Sequence, residues 1–202
     1  MMWWADLAEQ WNNQSWLELV AVVTALAYVW LAARQVRWCW PAAFVSTSIY
    51  TYLYLDLAAP MQAFLNAYYL VMAVYGWWSW QHGEGDGPLQ VGSRSMAFHG
   101  VAVASLLLLS IAATHMLVSG SVSTLEYADT LITVFSLFAT WLVAQKVLQN
   151  WLYWIGIDAL AVWFNWQLGL YLTSLLMGLY VIMAVYGYHQ WQQSTEADVA
   201  TA

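Results

Sequence analysis

The sequence predicts an all-α integral membrane protein with seven transmembrane helices, in which two parallel three-helix repeats flank one linker helix. Its composition, the length of its apolar runs and an internal repeat predict this class. Of 202 residues, 63% are hydrophobic and only 7% are charged, whereas soluble domains carry about 25% charged residues. The chain cannot cover its surface with charge, so we expect its solvent to be largely lipid.

Seven apolar runs are long enough to cross a bilayer, which takes about 20 residues in a helix. They begin near Trp16, Trp38, Met61, Met96, Tyr127, Asn150 and Tyr171, and each covers 18 to 22 residues. The runs are continuously apolar and do not alternate, which disfavours a strand barrel. A Gly-rich polar linker occupies 81–95, and the polar segment 192–202 is predicted to be a disordered tail.

The distribution of basic residues predicts the orientation. There are four in the chain, Arg34, Arg37, Arg94 and Lys146, and with seven spans all of them fall on the same side of the membrane. Under the positive-inside tendency that side is the cytoplasm. We therefore expect the N-terminus outside, with its tryptophans at the membrane interface, and the C-terminus in the cytoplasm.

The phrase MAVYG occurs twice, at 72–76 and at 183–187, and it marks an internal repeat. A shift of 111 residues aligns 30–81 with 141–192 without a gap, and 15 of these 52 positions are identical. Spans one to three then correspond to spans five to seven and run in the same direction, because the shift is four spans. We expect one transporter domain over 1–202, with bundles at 16–81 and 127–191 and a linker helix at 96–118. Such parallel repeats are a transporter architecture with binding sites at the repeat interface.

Asp158 is the leading candidate for a binding residue. It is the one formally charged side chain between Lys146 and Glu196, and it lies about 12 Å into its span at ~1.5 Å per residue. A carboxylate at that depth costs about 2.5–3.5 kcal/mol on insertion scales, which favours a functional role. The two interpretations are a counter-charge for a cationic substrate and a hydrogen-bonded Asp that ties helices together.

Two indoles share a helix face with this carboxylate, because Trp151, Trp154 and Asp158 are spaced i, i+3 and i+7. Indole faces attract cations and stack on flat heteroaromatic rings, although Trp151 could also belong to an interfacial aromatic belt. In the first repeat the matching positions are Trp40 for Trp151 and Thr47 for Asp158. The halves are thus alike in backbone and unlike in chemistry, which suits an asymmetric small molecule.

Asn66 is the other buried amide in the predicted site, with an interhelical hydrogen bond as the alternative role. No sequence pattern supports catalysis: no nucleophile, zinc or phosphate-loop motif is present. The four histidines are scattered, Cys39 is alone, and four basic residues are too few to hold phosphates or nucleic acid. We therefore expect a protein that is not an enzyme and that uses neither metal nor cofactor.

With NWLYWIGID at 150–158, YGWWSW and YGYHQW at the ends of the two bundles, and GLYLTSLL at 169–176, the chain resembles the PnuC family of vitamin transporters. The resemblance runs from Leu19 to Trp191. It implies a SWEET-like fold in full-length parallel form, a homotrimer in the cell inner membrane, and nicotinamide riboside as the substrate. It also implies facilitated diffusion, with cytoplasmic phosphorylation preventing return of the nucleoside.

The family's NWxxW motif falls on Asn150, Trp151 and Trp154, and the polar position that follows it, usually Asn, is Asp158 here. A glutamine usual early in the third span is replaced by Asn66. These departures lie in the presumed binding region, and relatives in the family carry thiamine or riboflavin. Thiamine is a flat cation like nicotinamide riboside and is the alternative substrate, whereas neutral riboflavin fits Asp158 less well. A membrane scaffold that transports nothing is the competing class.

Overall fold

The computed structural model describes residues 3–56, 60–83, 87–118 and 120–201, which form eight α-helices. They are α1 Trp3–Asn12, α2 Trp16–Ala33, α3 Cys39–Asp56, α4 Pro60–Ser79, α5 Met96–Leu117, α6 Thr124–Ala144, α7 Asn150–Gln167 and α8 Tyr171–Thr201. The seven predicted span starts each lie within three residues of the start of one of the helices α2 to α8. The described residues contain no strand, only an isolated bridge between Gly92 and Val147.

Four helices are long and apolar enough to cross a membrane by length and composition: α2, α5, α6 and α8 over Tyr171–Glu196. The other long helices, α3, α4 and α7, have 18, 20 and 18 residues but are less apolar. These helices carry Thr47, Asn66 and Asp158 among their polar residues.

Two terminal regions differ from the sequence prediction. The prediction of a disordered tail at 192–202 is wrong for the described residues, because α8 continues without a break to Thr201. The Gln192 side chain donates to Glu196 one turn later at 3.2 Å, which supports this extension. At the other end, 3–12 forms an additional helix, α1, which the span criterion did not detect because it is only 10 residues long.

Capping signals in the sequence fix where two of the long helices begin. Ser15 and Ser123 form capping boxes with Glu18 and Glu126, the residues three positions later, at the starts of α2 and α6. The two helices occupy equivalent places, each opening a three-helix bundle: α2 packs on α3 and α3 on α4, as α6 packs on α7 and α7 on α8. The bundles meet where α4 packs on α6 and α8 packs on α2, and α5 packs on α6.

The turns that follow α2 and α6 have the same backbone geometry. Gln35 and Lys146, 111 positions apart, both adopt a left-handed φ, of 57° and 48°, a conformation that is uncommon outside Gly. In each turn, the amide of this residue donates to the carbonyl three positions earlier, Ala32 in one and Val143 in the other. Equivalent sequence positions thus form equivalent turns.

The same two carbonyls receive a crosswise pair of tryptophan hydrogen bonds. The indole N–H of Trp80 at the end of α4 donates to Val143 O at 3.1 Å, and that of Trp191 in α8 donates to Ala32 O at 3.0 Å. Each bundle therefore donates one indole hydrogen bond to the other bundle, and we call these two bonds the crosswise indole hydrogen bonds. All four residues are buried, so the bonds are shielded from competing water.

The crosswise indole hydrogen bonds lie at the end of the molecule that carries the α4–α5 connection, and we call this end the linker end. The opposite end carries α1 and is called the α1 end. The polar linker docks there on the α6–α7 turn: Gly92 N donates to Lys146 O at 3.0 Å, and Leu148 N donates to Gly92 O at 2.8 Å. Residues 84–86 of the predicted linker lie outside the described residues. All four basic residues lie in connections at the linker end.

Lys146 is buried there, with its Nζ 4.7 Å from the centre of the Trp80 ring. Burial lowers the pKa of this lysine from its usual range, because the ammonium loses hydration. The contact with the indole face offsets part of that cost.

Two glycines at matching positions of the repeat, Gly76 and Gly187, make room for indole rings inside the bundles. A Cβ on Gly76 would overlap the Trp40 ring, and a Cβ on Gly187 would lie 2.7 Å from the matching Trp151 ring. Neither ring is free to move, because Trp40 and Trp151 are only 1% and 3% exposed. We therefore expect Gly76→Ala to reduce the free energy of unfolding by about 1–3 kcal/mol through overpacking, as measured by thermal unfolding in detergent.

Gly100→Ala is the matched control, because Gly100 is exposed in the second turn of α5 and a Cβ there meets nothing within 4 Å. That change should leave the midpoint unchanged or raise it slightly. Equal midpoints for the two alanine variants would contradict the packing argument.

Candidate functional site

A cavity of about 690 Å³ lies between the two bundles and contains most of the residues predicted for the site. Trp40, Thr47, Asn66, Trp151, Trp154 and Asp158 all line it. The lining comes from α2, α3 and α4 on one side and from α6, α7 and α8 on the other. Among the described residues, α5 contributes nothing to this cavity, in keeping with its position outside both bundles.

The cavity reaches the α1 end and is closed at the linker end. Trp11, Gln14 and Glu18 line its mouth. Its deepest lining residues include Trp40 and Trp151, and beyond them Trp80 and Trp191 fill the space between the bundles. The ring centroids of Trp40 and Trp80 are 5.4 Å apart, as are those of Trp151 and Trp191, both edge-on. This indole plug, together with the crosswise hydrogen bonds, seals the linker end.

The lining is acidic in its formal charge. Asp158 and Glu18 line the cavity, and no Lys, Arg or His does so among the described residues. Asp158 is 6% exposed and has no hydrogen-bond partner within the described part of the chain. A buried carboxylate costs free energy when no cation or hydrogen-bond donor contacts it. A cationic ligand in the cavity would lower that cost.

The uncharged predicted residues present acceptors to the cavity. The Asn66 amide nitrogen donates to Gln62 O at 2.9 Å, which leaves its carbonyl oxygen for a ligand. Thr47 donates to Ala43 O at 2.8 Å, so its hydroxyl oxygen can still accept. Because Thr47 and Asp158 hold matching positions in α3 and α7, the two walls of the cavity differ in charge at that level.

Asn150 differs from the other predicted residues, because the structure does not place it in the cavity lining. Its side chain is fully buried at the start of α7 and donates to Val147 O at 2.7 Å. It therefore stabilises the α6–α7 turn, directly next to Trp151. Its side-chain oxygen and the indole nitrogens of Trp40 and Trp151 are buried atoms without a hydrogen-bond partner within the described residues.

Sequence reasoning missed four tyrosines that also line the cavity: Tyr28, Tyr50, Tyr69 and Tyr180. Tyr54 lines it as well. Tyr50 and Tyr54 stack at 5.9 Å between ring centroids. A signal for two of them was available, because Tyr69 and Tyr180 are one of the identical pairs of the 111-residue repeat. Their hydroxyls can bond the polar groups of a ligand.

A cavity between two helical bundles, open toward one membrane face and closed toward the other, defines a membrane transporter. The model of the nicotinamide mononucleotide transporter family matches residues 15–193. The chain therefore belongs to this family of multi-pass membrane transporters, the PnuC family of vitamin transporters, as predicted from the sequence motifs.

Relatives and a solved structure agree with this assignment. The chain is 24% identical over 190 residues to the riboflavin/roseoflavin transporter RibM of Streptomyces davaonensis, covering 91% of this chain and 87% of RibM. It is 20% identical to the nicotinamide riboside transporter PnuC of Escherichia coli over 206 residues, covering 89% and 86%. The crystal structure of the vitamin B3 transporter PnuC matches with a TM-score of 0.72 at 19% identity, over 95% of this chain and 86% of that one. The chain thus has the PnuC fold.

Proposed function

We propose that this chain carries nicotinamide riboside across the cell inner membrane by facilitated diffusion. The observation that carries the proposal is the acidic, indole-walled cavity, whose described lining contains no basic residue. A pyridinium ring is flat and positively charged, so it can pack against the Trp40, Trp151 and Trp154 indoles while Asp158 offsets its charge. Asn66 and Thr47 would accept hydrogen bonds from the amide and the ribose hydroxyls.

The unpartnered indole nitrogens are a second observation in favour of a polar ligand. The rings of Trp40 and Trp151 line the deep end of the cavity, while their N–H groups are buried without a hydrogen-bond partner within the described residues. Buried donors are normally satisfied, so these N–H groups are available to a hydroxyl or carbonyl oxygen of the substrate in a state that exposes them. In this proposal Asn150 acts through the turn that holds Trp151 rather than by touching the substrate.

The architecture that we propose is a single transporter domain with seven spans in a SWEET-like 3+1+3 arrangement. Spans at 16–81 and 127–191 form the parallel repeats, and the helix at 96–118 links them. The matched turns at Gln35 and Lys146 and the crosswise indole bonds support a pseudo-two-fold relation between the bundles. The basic connections, under the positive-inside tendency, support a linker end and C-terminus in the cytoplasm, with the N-terminus and the cavity mouth outside. The family resemblance supports a homotrimer.

Transport then needs no ion gradient. The two bundles rock about the site, and the substrate moves down its own gradient while cytoplasmic phosphorylation keeps the free nucleoside concentration low. Thiamine, another flat cation, is a second candidate on the same electrostatic ground. Riboflavin is a third, because the similar transporter RibM carries riboflavin by its name, although a neutral ring leaves Asp158 without a counter-charge.

Uptake into proteoliposomes tests the proposal. Labelled nicotinamide riboside should equilibrate across the bilayer without a proton or sodium gradient, and excess unlabelled thiamine should compete more strongly than riboflavin. Uptake of riboflavin alone would assign this chain the specificity named for RibM. No flux of any of the three, with protein that elutes as a folded species, would favour a scaffold that transports nothing.

A further inference from the structure

Helix α1 lies outside the part of the chain that the family match covers, which begins at residue 15. It nevertheless contacts the transporter body through two side chains: Trp3 packs against Trp166 of α7 at 5.9 Å between ring centroids, and Gln10 makes two hydrogen bonds. Gln10 Nε2 donates to Gly169 O at 2.7 Å, and the amide of Leu172 donates to Gln10 Oε1 at 3.1 Å. This two-bond clamp holds α1 on the α7–α8 turn, where Gly169 has a left-handed φ of 75°.

The clamp places an aromatic ring at the cavity mouth. Trp11, the residue after Gln10, lines the cavity although it is 61% exposed. Across the mouth, at the first turn of α2, Glu18 also lines the cavity. One of its oxygens accepts from Ser15 N at 2.8 Å, which leaves the other free. An exposed indole and a carboxylate at the mouth of one cavity together suit a flat cation.

We propose that α1 forms an outer entrance site, in which Trp11 and Glu18 receive a flat cation before it reaches Asp158. This inference rests on the proposed function in that both sites would serve one substrate path. The two acidic positions lie at different depths: Glu18 is at the mouth, whereas Asp158 is near the middle of α7. A cation entering from the α1 end meets negative charge at both levels, and an anion is repelled at both.

A cysteine placed inside the cavity tests the entrance without any vitamin. Ala25 lines the cavity two turns below Glu18 on α2, and the buried native Cys39 is first replaced by Ala. In the Ala25→Cys protein in detergent, one measures the modification rates by a trimethylammonium-ethyl and by a sulfonatoethyl methanethiosulfonate. Their ratio, normalised to that of a free thiol, reports the preference of the entrance for cations.

Glu18→Gln should lower this ratio at least about threefold, because a charge near the path is removed. Trp11→Leu and Gln10→Ala should each lower it about two- to fivefold, since one removes the indole and the other releases it from the mouth. Trp4→Leu is the control, because Trp4 is an exposed indole of α1 that does not line the cavity; it should leave the ratio unchanged. An unchanged ratio in both Trp11→Leu and Gln10→Ala would remove α1 from the path and overturn the proposal, even if Glu18→Gln had an effect.

Transport gives a second measure. In proteoliposomes the Trp11→Leu variant should raise the half-saturating concentration of the transported vitamin about two- to fivefold, with the maximal rate retained. If the wild-type protein transports none of the three vitamins, the proposed function fails while the reagent ratio still decides the role of α1. A normal half-saturating concentration together with a normal ratio would contradict the entrance site alone.

Discussion

Replacing Asp158 by Asn is expected to weaken the binding of nicotinamide riboside about 100-fold. The carboxylate is buried and has no partner within the described residues, so a bound cation makes its only charge pairing. Removing one member of a buried, paired charge costs about 2–5 kcal/mol, and each 1.4 kcal/mol is tenfold in the dissociation constant. Asn keeps the shape of the side chain, so the loss reports its charge. Calorimetric titration of the detergent-solubilised protein measures it.

Two comparisons separate the binding role from a structural one. Asp129→Asn neutralises an acid of α6 that does not line the cavity, and it should leave the affinity unchanged. Any affinity for riboflavin should change little in Asp158→Asn, because that ring carries no charge to offset. If Asp158→Asn instead lowered the unfolding temperature of the ligand-free protein and kept its affinity for the cation, the role of Asp158 would be to stabilise the packing of the helices.

Removing both crosswise indole hydrogen bonds is expected to open the linker end. In the Trp80→Phe/Trp191→Phe double variant the carbonyls of Val143 and Ala32 lose their indole donors, and each loss costs about 1 kcal/mol. Both bonds join the two bundles, so the cost falls on the state in which the linker end is closed. A total of about 2 kcal/mol shifts the equilibrium between closed and open states about 30-fold.

Modification of a cysteine introduced at Thr140, a cavity-lining residue near the linker end of α6, measures this shift when the reagent is offered from the linker-end side of oriented vesicles. The double variant should react faster than the parent protein. Trp78→Phe is the control, since Trp78 is an exposed indole two residues before Trp80 and should leave the rate unchanged. Equal rates in the double variant and its parent would show that the crosswise indole hydrogen bonds do not keep the linker end closed.

The sequence predicted the helices well where one physical rule dominates. The apolar runs and the 111-residue repeat located the starts of α2 to α8, because lipid demands long continuous apolar segments. The same rule could not detect α1, whose 10 residues are amphipathic and too short to span. It also stopped α8 too early, because a helix that leaves the membrane continues on local propensity and contacts such as that between Gln192 and Glu196.

Six of the seven predicted site residues line one cavity. Helical spacing places residues of one helix on the same face, and the repeat gives the matching positions in the other bundle. Asn150 shows the limit of that reasoning. At the first position of α7 its amide is recruited by the turn carbonyl of Val147, a local contact that motif spacing does not reveal. The tyrosines and Glu18 were missed for a related reason: they reach the cavity through the packing of α2, α3, α4 and α8, which no single-helix pattern encodes.

The unlike pair at one level of the cavity, Thr47 in one bundle and Asp158 in the other, bears on how such a protein can arise. Two separate copies of one three-helix chain, associated as a symmetric dimer, would bring two identical aspartates to this level. Like charges in a poorly hydrated space repel strongly and cannot both stay ionised. Joining the copies into a single polypeptide frees each half to mutate alone, so that one keeps its acid while the other becomes a neutral alcohol.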